Sequence, residues 1–406
     1  MSLLLRNALL LDVTAGEYRE ADLRCADGRI AETGTNLAAP DGVRVLDLAG
    51  KPVLPGLIDA HVHVTAATAD LGSLPFSSPS YVAAHSARIM SDMLDRGFTT
   101  VRDLSGADFG LSDAQAEGLF RGPRLHFCGR ALSQTGGHGD TRGRGTTVHD
   151  DHACCAGLGR IADGVDAVRA AARDELRKGA HHIKVMASGG VASPTDRIDS
   201  TQYSMDELRA IVDEAQAANR YVAAHAYTAR AVNRALQAGV RSIEHGNLLD
   251  DDSVRLFTEH DAFLVPTLVT YWSLKHEGLE FGLPSASHKK VDHVLNAGLA
   301  ALERAARASV QIVYGSDLLG GMHRHQNEEF RIRSEVQKPL DIIRSATVTA
   351  AQLLQREGEI GIITEGARAD LVILNGDPLT DISHLADPTN ITGVVQDGEL
   401  VTDKGV

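Results

Sequence analysis

Cysteine is scarce in this chain: four among 406 residues. Two of them, Cys154 and Cys155, are neighbours, and nothing in their spacing makes a disulfide framework. That excludes a small stapled secreted domain and points to a reducing cytoplasm, with the adjacent pair read as an incidental loop feature. Long apolar runs are also missing. No stretch approaches the roughly 20 residues that a helix needs to cross a bilayer. The start, from Met1 to Asp12, has a short apolar stretch without a basic region before it or a small-residue cleavage pattern after it, so it reads as a surface strand. Positive charge is the minority sign, with 40 Lys and Arg against 54 Asp and Glu and a formal net charge of −14. Nucleic acid and anionic membranes are therefore not expected as partners.

What remains is an ordinary globular composition, 43% hydrophobic and 23% charged, on a chain long enough for one large α/β unit and a small accessory domain. Strand-like apolar runs lie near 57–63, 98–104, 124–129, 181–187, 221–226, 242–245, 262–268 and 311–316. Between them lie amphipathic helical patterns, such as Ser80 to Arg96, Asp163 to Lys178 and Met205 to Asn219. Ser204 with Glu207 three residues on is a capping box for the last of these. Strands alternating with helices predict a (β/α)8 TIM-like barrel over 57–359, with its active site at the C-terminal strand ends. Residues 1–56 and 360–406 differ, with short alternating strands and turn signals such as Asp27-Gly28 and Asp397-Gly398. They are expected to pair as one small β-sandwich built from both termini.

The chemistry concentrates at the expected strand ends. His61-Val62-His63 follows the run Val53 to Ala60, and on a strand residues i and i+2 share a face, so both imidazoles aim at one point while Val62 turns away. Three further runs end in His225, His245 and Asp317. Neutral imidazole and carboxylate are the ligand set of zinc or a similar divalent ion. Any one of these residues alone reads as a satisfied histidine or a turn. Lys184 stands in the middle of another strand, where a buried ammonium is costly unless it is paired or chemically changed.

The set His61, His63, Lys184, His225, His245 and Asp317, in that order, resembles the metal-dependent amidohydrolase superfamily. It is most similar to the branch of binuclear Xaa-Pro dipeptidases and carboxypeptidases, with imidazolonepropionase-like and ochratoxin-hydrolysing neighbours. The resemblance runs from Val53 to the segment Gly366 to Val372. It implies two divalent metal ions, zinc first among the candidates: one held by His61, His63 and Asp317, the other by His225 and His245. An N-carboxylated Lys184 would bridge them. It implies hydrolysis of an amide bond in a dipeptide or N-acyl amino acid by a metal-activated bridging hydroxide, with Asp317 as base and then acid. A cyclic amide, urea or carbamate is the alternative substrate, and a non-catalytic metal-binding protein ranks below both.

The resemblance also extends to two further residues. His138, in the glycine-rich stretch Ser133 to Asp140 that opens a loop reaching about Gly164, would contact the substrate oxygen that gains negative charge. Tyr227, two residues after His225 and so on the same side, would hold substrate. Arg142, Arg144, His323 and His325 could line the mouth but are not assigned to the site. The expected partner is a small amide or dipeptide, and assembly as a homo-oligomer is left open.

Overall fold

The computed structural model describes residues 2–146, 156–193 and 195–406. Cys154 and Cys155 lie outside the described residues. The chain opens with five strands, β1 (Leu3–Asp12), β2 (Glu17–Ala26), β3 (Arg29–Gly34), β4 (Arg44–Asp47) and β5 (Pro52–Pro55). Asp27-Gly28 makes the β2–β3 turn, with φ of 52° and 75° at its two residues, the left-handed backbone that a tight hairpin needs. Gly56 alone separates β5 from the next strand.

Ten strands follow: β6 (Leu57–Val62), β7 (Phe98–Asp103), β8 (Arg124–His126), β9 (Ala131–Ser133), β10 (Gly159–Ile161), β11 (Ile183–Met186), β12 (Val222–Thr228), β13 (Ser242–Leu248), β14 (Phe263–Val265) and β15 (Gln311–Ile312). All pair in parallel, as one sheet of three, β6-β7-β8, and one of seven, β10-β9-β11-β12-β13-β14-β15. All eight expected barrel strands are among them. Among the described residues no continuous ladder joins the two sheets; single backbone bonds do. The Ala60 amide donates to the Tyr314 carbonyl at 2.9 Å, Asp317 to His61 at 2.7 Å, and His181 to Phe127 at 2.9 Å. Every residue of β6, β7 and β11 is buried, as befits parallel strands covered on both faces.

Two departures from expectation concern strand length. The loop expected after Ser133 returns along its own start, so that Gly159–Ile161 pairs with Ala131–Ser133. The strand expected over 311–316 keeps regular pairing only at Gln311–Ile312, because beyond it the backbone bonds to β6 and turns left-handed at Asp317 (φ 53°).

The expected helices appear as Pro79–Asp95, Val165–Arg177 and Met205–Ala217. Ser204 and Glu207 form the capping box: the Glu207 amide donates to Ser204 Oγ at 3.2 Å, and the Ser204 amide to Glu207 Oε2 at 2.7 Å. The chain then returns through β16 (Leu371–Leu374), β17 (Ile391–Gln396) and β18 (Glu399–Asp403). β16 runs antiparallel to β5, Val372 opposite Leu54, which places both termini in one eight-stranded sheet. Arg124 on β8 grips Asp370 just before β16, its Nη2 2.8 Å from Oδ1, and so ties that sheet to the first parallel sheet. Among the described residues no helix is long and apolar enough to cross a membrane.

Candidate metal centre

His61 ends up at the C-terminal end of β6 because Leu57, Ile58, Ala60 and Val62 are fully buried. Alternation then leaves His61 and His63 on the inner side. Their ring centroids are 5.3 Å apart, and their Nε2 atoms lie 3.3 and 3.1 Å from Asp317 Oδ1. Asp59, the buried acid of the same strand, sets that distance. It accepts from the Ser316 amide at 3.1 Å, Ser316 Oγ at 2.6 Å and Gln326 Nε2 at 2.9 Å, and so docks the turn before Asp317 on β6.

Each histidine spends one ring nitrogen on the protein and keeps the other for the cavity. His61 Nδ1 donates to Glu244 Oε2 at 2.8 Å, His63 Nδ1 to the Ser105 carbonyl at 3.1 Å, and His225 Nε2 to the Gly189 carbonyl at 3.1 Å. His245 Nδ1 is 2.8 Å from Thr267 Oγ1. The carboxylate and carbonyl acceptors fix the tautomers of the first three and leave the opposite nitrogen as a lone pair; the Thr267 hydroxyl can accept or donate. The lone pairs left by these acceptors are therefore Nε2 of His61 and His63 and Nδ1 of His225.

One ligand atom each from His61, His245 and Asp317 falls within 4.8 Å of the other two, a spacing one cation could span. Burial pushes His225 and His245 well below the usual imidazole range, which keeps them in the neutral, ligating form. For Asp317, burial pulls its carboxyl up, but His61 and His63 outweigh it and hold the group well below the usual carboxylate range. Lys184 is 2% exposed. Burial brings its amine down to about 8, against the opposing pull of Glu244 and Asp317. A nucleophilic amine is thus present near neutrality, as N-carboxylation requires. The residues fit a divalent-cation centre.

The backbone accommodates this at two strained points. His245 (φ 76°) and Asp317 (φ 53°) are both left-handed without being glycine, a costly conformation that tends to persist at functional sites. At His245 it breaks strand alternation, so Glu244 and His245, consecutive in sequence, both face the centre.

His138 and Tyr227 complete the cavity. The His138 ring stacks on His225 at 4.2 Å between centroids, and Tyr227 lies 4.8 Å from His225. Tyr227 Oη accepts from Tyr271 Oη at 3.1 Å. All eight residues singled out from the sequence line one cavity of about 60 Å³, with Leu71, Met186, Val191, Leu274 and Leu319 as apolar wall. His323 and His325 do not line it. His323 Nε2 faces the Ala66 carbonyl at 3.3 Å and His325 Nε2 faces Glu277 at 3.0 Å. Arg142 folds back on Asp140, its Nε 2.7 Å from Oδ1.

The sequence reading passed over Glu244, Arg102 and Tyr271. Glu244 is fully buried between His61 and Arg102, whose Nη2 is 2.9 Å from Oε1. Two opposite charges within apolar strands, Arg102 on β7 and Glu244 on β13 of the other parallel sheet, are a signal in hindsight, since such groups are seldom buried unpaired.

The Amidohydrolase family profile matches residues 53–401. Ochratoxinase of Aspergillus niger is 34% identical over 373 residues, 87% of this chain and 77% of that one. A prolidase crystallised with N-methylphosphonate-L-proline is 48% identical over 99% of this chain and 100% of its own, with a TM-score of 0.97. A Xaa-Pro dipeptidase with bound methionine is 28% identical over 99% and 100% of the two chains, with a TM-score of 0.89.

Proposed function

The chain belongs to the amidohydrolase family and is a hydrolase of carbon–nitrogen bonds; from that premise we propose that it cleaves the amide bond of a Xaa-Pro-like dipeptide or an N-acyl amino acid. The observation that carries this reading is the meeting of His61, His63, Lys184, His225, His245 and Asp317 around one small cavity with His138 and Tyr227. The prolidase and ochratoxinase likenesses support an amide as the bond cut. The parallel strands are read as a (β/α)8 barrel over 57–359, accompanied by a small domain of 1–56 and 360–406, and the setting as cytoplasmic.

His61, His63 and Asp317 would hold one divalent cation, His225 and His245 a second, and an N-carboxylated Lys184 would contribute to both. Bound there, such cations supply Lewis acidity toward a carbonyl and lower the pKa of water. The rest is the work of the chain. Asp317, pulled strongly toward its ionised form, takes a proton from the attacking water and gives it to the leaving amine, base first and acid second. Tyr227, whose hydroxyl accepts from Tyr271 and keeps its own hydrogen, donates to the substrate oxygen that gains negative charge, and His138 meets the same end of the substrate through its ring. The wall of Leu71, Val191, Leu274 and Leu319 excludes water and accepts an apolar side chain.

Metal content, measured beside turnover of Xaa-Pro dipeptides and N-acyl amino acids, tests this. About two divalent ions per chain with hydrolysis of either class is the expected result. Turnover confined to cyclic amides, ureas or carbamates would replace the substrate class, and metal-loaded protein silent on every amide would remove the catalytic reading.

A further inference from the structure

His138 sits in a loop, yet one carboxylate over fifty residues away controls both its backbone and its ring. The Asp196 side chain is buried, 3% exposed. Its Oδ2 accepts from the Gly190 amide at 3.1 Å and from Gln202 Nε2 at 3.1 Å. Gln202 Oε1 in turn accepts from the His138 amide at 2.9 Å. Through Oδ1, Asp196 accepts from Ser193 Oγ in a short hydrogen bond, and Ser193 Oγ lies 2.8 Å from His138 Nδ1. The loop is clamped from outside. Lys290, on the helix Ser285–Arg307, donates to the carbonyls of Gly190, Ser193 and Asp196 at 3.0 to 3.1 Å.

Proton counting orders this chain. A serine hydroxyl has one hydrogen to give. An ionised carboxylate can only accept, so Ser193 gives its hydrogen to Asp196 and must accept from His138. Nδ1 of His138 therefore carries hydrogen, and Nε2 is left for the cavity. We infer that Asp196 is a positioning residue for the amide-hydrolysing site: acting through Ser193 and Gln202, it holds His138 in the Nδ1–H form with Nε2 as the atom that meets substrate.

This rests on the proposed amidase reading for its catalytic meaning, but the ring geometry it specifies exists with or without turnover. The space around the ring is equally specified. A Cβ on Gly190 would lie 2.0 Å from His138 Cε1, so only glycine lets the loop close over that edge of the imidazole.

The test reads the tautomer directly. Metal-free protein labelled with [15N]histidine is compared by long-range 1H–15N correlation with Asp196→Asn, Ser193→Ala and Ser193→Thr, and the His138 signals are assigned by their loss in His138→Gln. The wild type and Ser193→Thr should show protonated Nδ1 and bare Nε2, while Asp196→Asn and Ser193→Ala shift toward a mixed pattern. In parallel, kcat of those two variants should fall on the order of 100-fold, the size expected when a reacting group is misplaced by about 1 Å, with KM moving much less. A wild-type ring protonated on Nε2, or a pattern unchanged in both variants, overturns the inference. If the wild type turns over no amide while the tautomer pattern holds, the amidase reading fails and the positioning network stands.

Discussion

His61 Nδ1 lies 2.8 Å from Glu244 Oε2, and the other oxygen of the same carboxylate lies 2.9 Å from Arg102 Nη2. One buried acid thus serves a cation behind it and a candidate ligand in front of it. Arg102 and its neighbours hold Glu244 ionised despite complete burial, well below the usual carboxylate range. The ionised form makes His61 a fixed Nδ1–H donor and so turns its remaining nitrogen to the cavity.

Glu244→Gln should therefore cost on two counts. Arg102 loses its counter-charge in a site without water to replace it, and removing one partner of a buried pair typically costs about 3–5 kcal/mol. Metal affinity should fall about 10- to 100-fold, the usual effect of removing a residue that orients a ligating histidine. Urea unfolding of the metal-free protein reads the first effect and competition with a chelator reads the second. Unchanged affinity in a folded variant would mean that Glu244 is only Arg102's partner.

Gly190→Ala separates the ring of His138 from the candidate ligands. The backbone at Gly190 is not left-handed, so the added methyl acts through space alone, 2.0 Å from Cε1 and 2.2 Å from Nδ1 of His138. The loop or the ring must move. Turnover should drop on the order of 100-fold while elemental analysis shows wild-type metal content. A variant with normal kinetics whose His138 nitrogen signals are shifted from wild type would show that His138 has no part in the reaction.

Much of this site was legible because its parts are locally encoded. His61 and His63 are set by strand alternation, and Lys184, His225, His245 and Asp317 by their place in or just after short apolar runs. Ser204 and Glu207 were visible as a cap because the motif spans four residues. What escaped was non-local. Glu244 reads as an outward residue beside His245 until the left-handed backbone at His245 is known. Ser193 and Asp196 reach His138 only after the chain has passed through β10 and β11. The pairing of β9 with β10 joins two three-residue strands across a long connection, too short to leave an apolar signature.

Lys184 carries a prediction about bicarbonate. Burial lowers its amine to about 8, so near neutral pH a measurable share is unprotonated and free to add carbon dioxide. Reconstitution with a divalent metal should reach about two ions per chain with bicarbonate present and fall short when it is rigorously excluded. Lys184→Ala should hold fewer ions in both conditions and regain some with a short carboxylic acid. Two tightly held ions in Lys184→Ala without any such addition would rule out a bridging carbamate.

Acid should weaken the metal-free fold through histidines behind the site, and the sign follows from burial. Burial holds His126 and His182 well below the usual imidazole range, and His181 at about 4. Neither ring nitrogen of His182 has a partner, and its ring stacks on Tyr221 at 5.5 Å. Between these depressed values and the unfolded value near 6.5, the unfolded chain binds more protons than the folded one. Stability is therefore full above about pH 6.5 and declines as pH drops below it. Replacing His182 with leucine removes one of these groups without introducing a charge. The urea midpoint of the metal-free wild type should fall between pH 7.5 and 5.5, and that of His182→Leu should fall less. Equal losses in the two proteins would mean that His182 takes up its proton inside the folded state, contrary to what its burial requires.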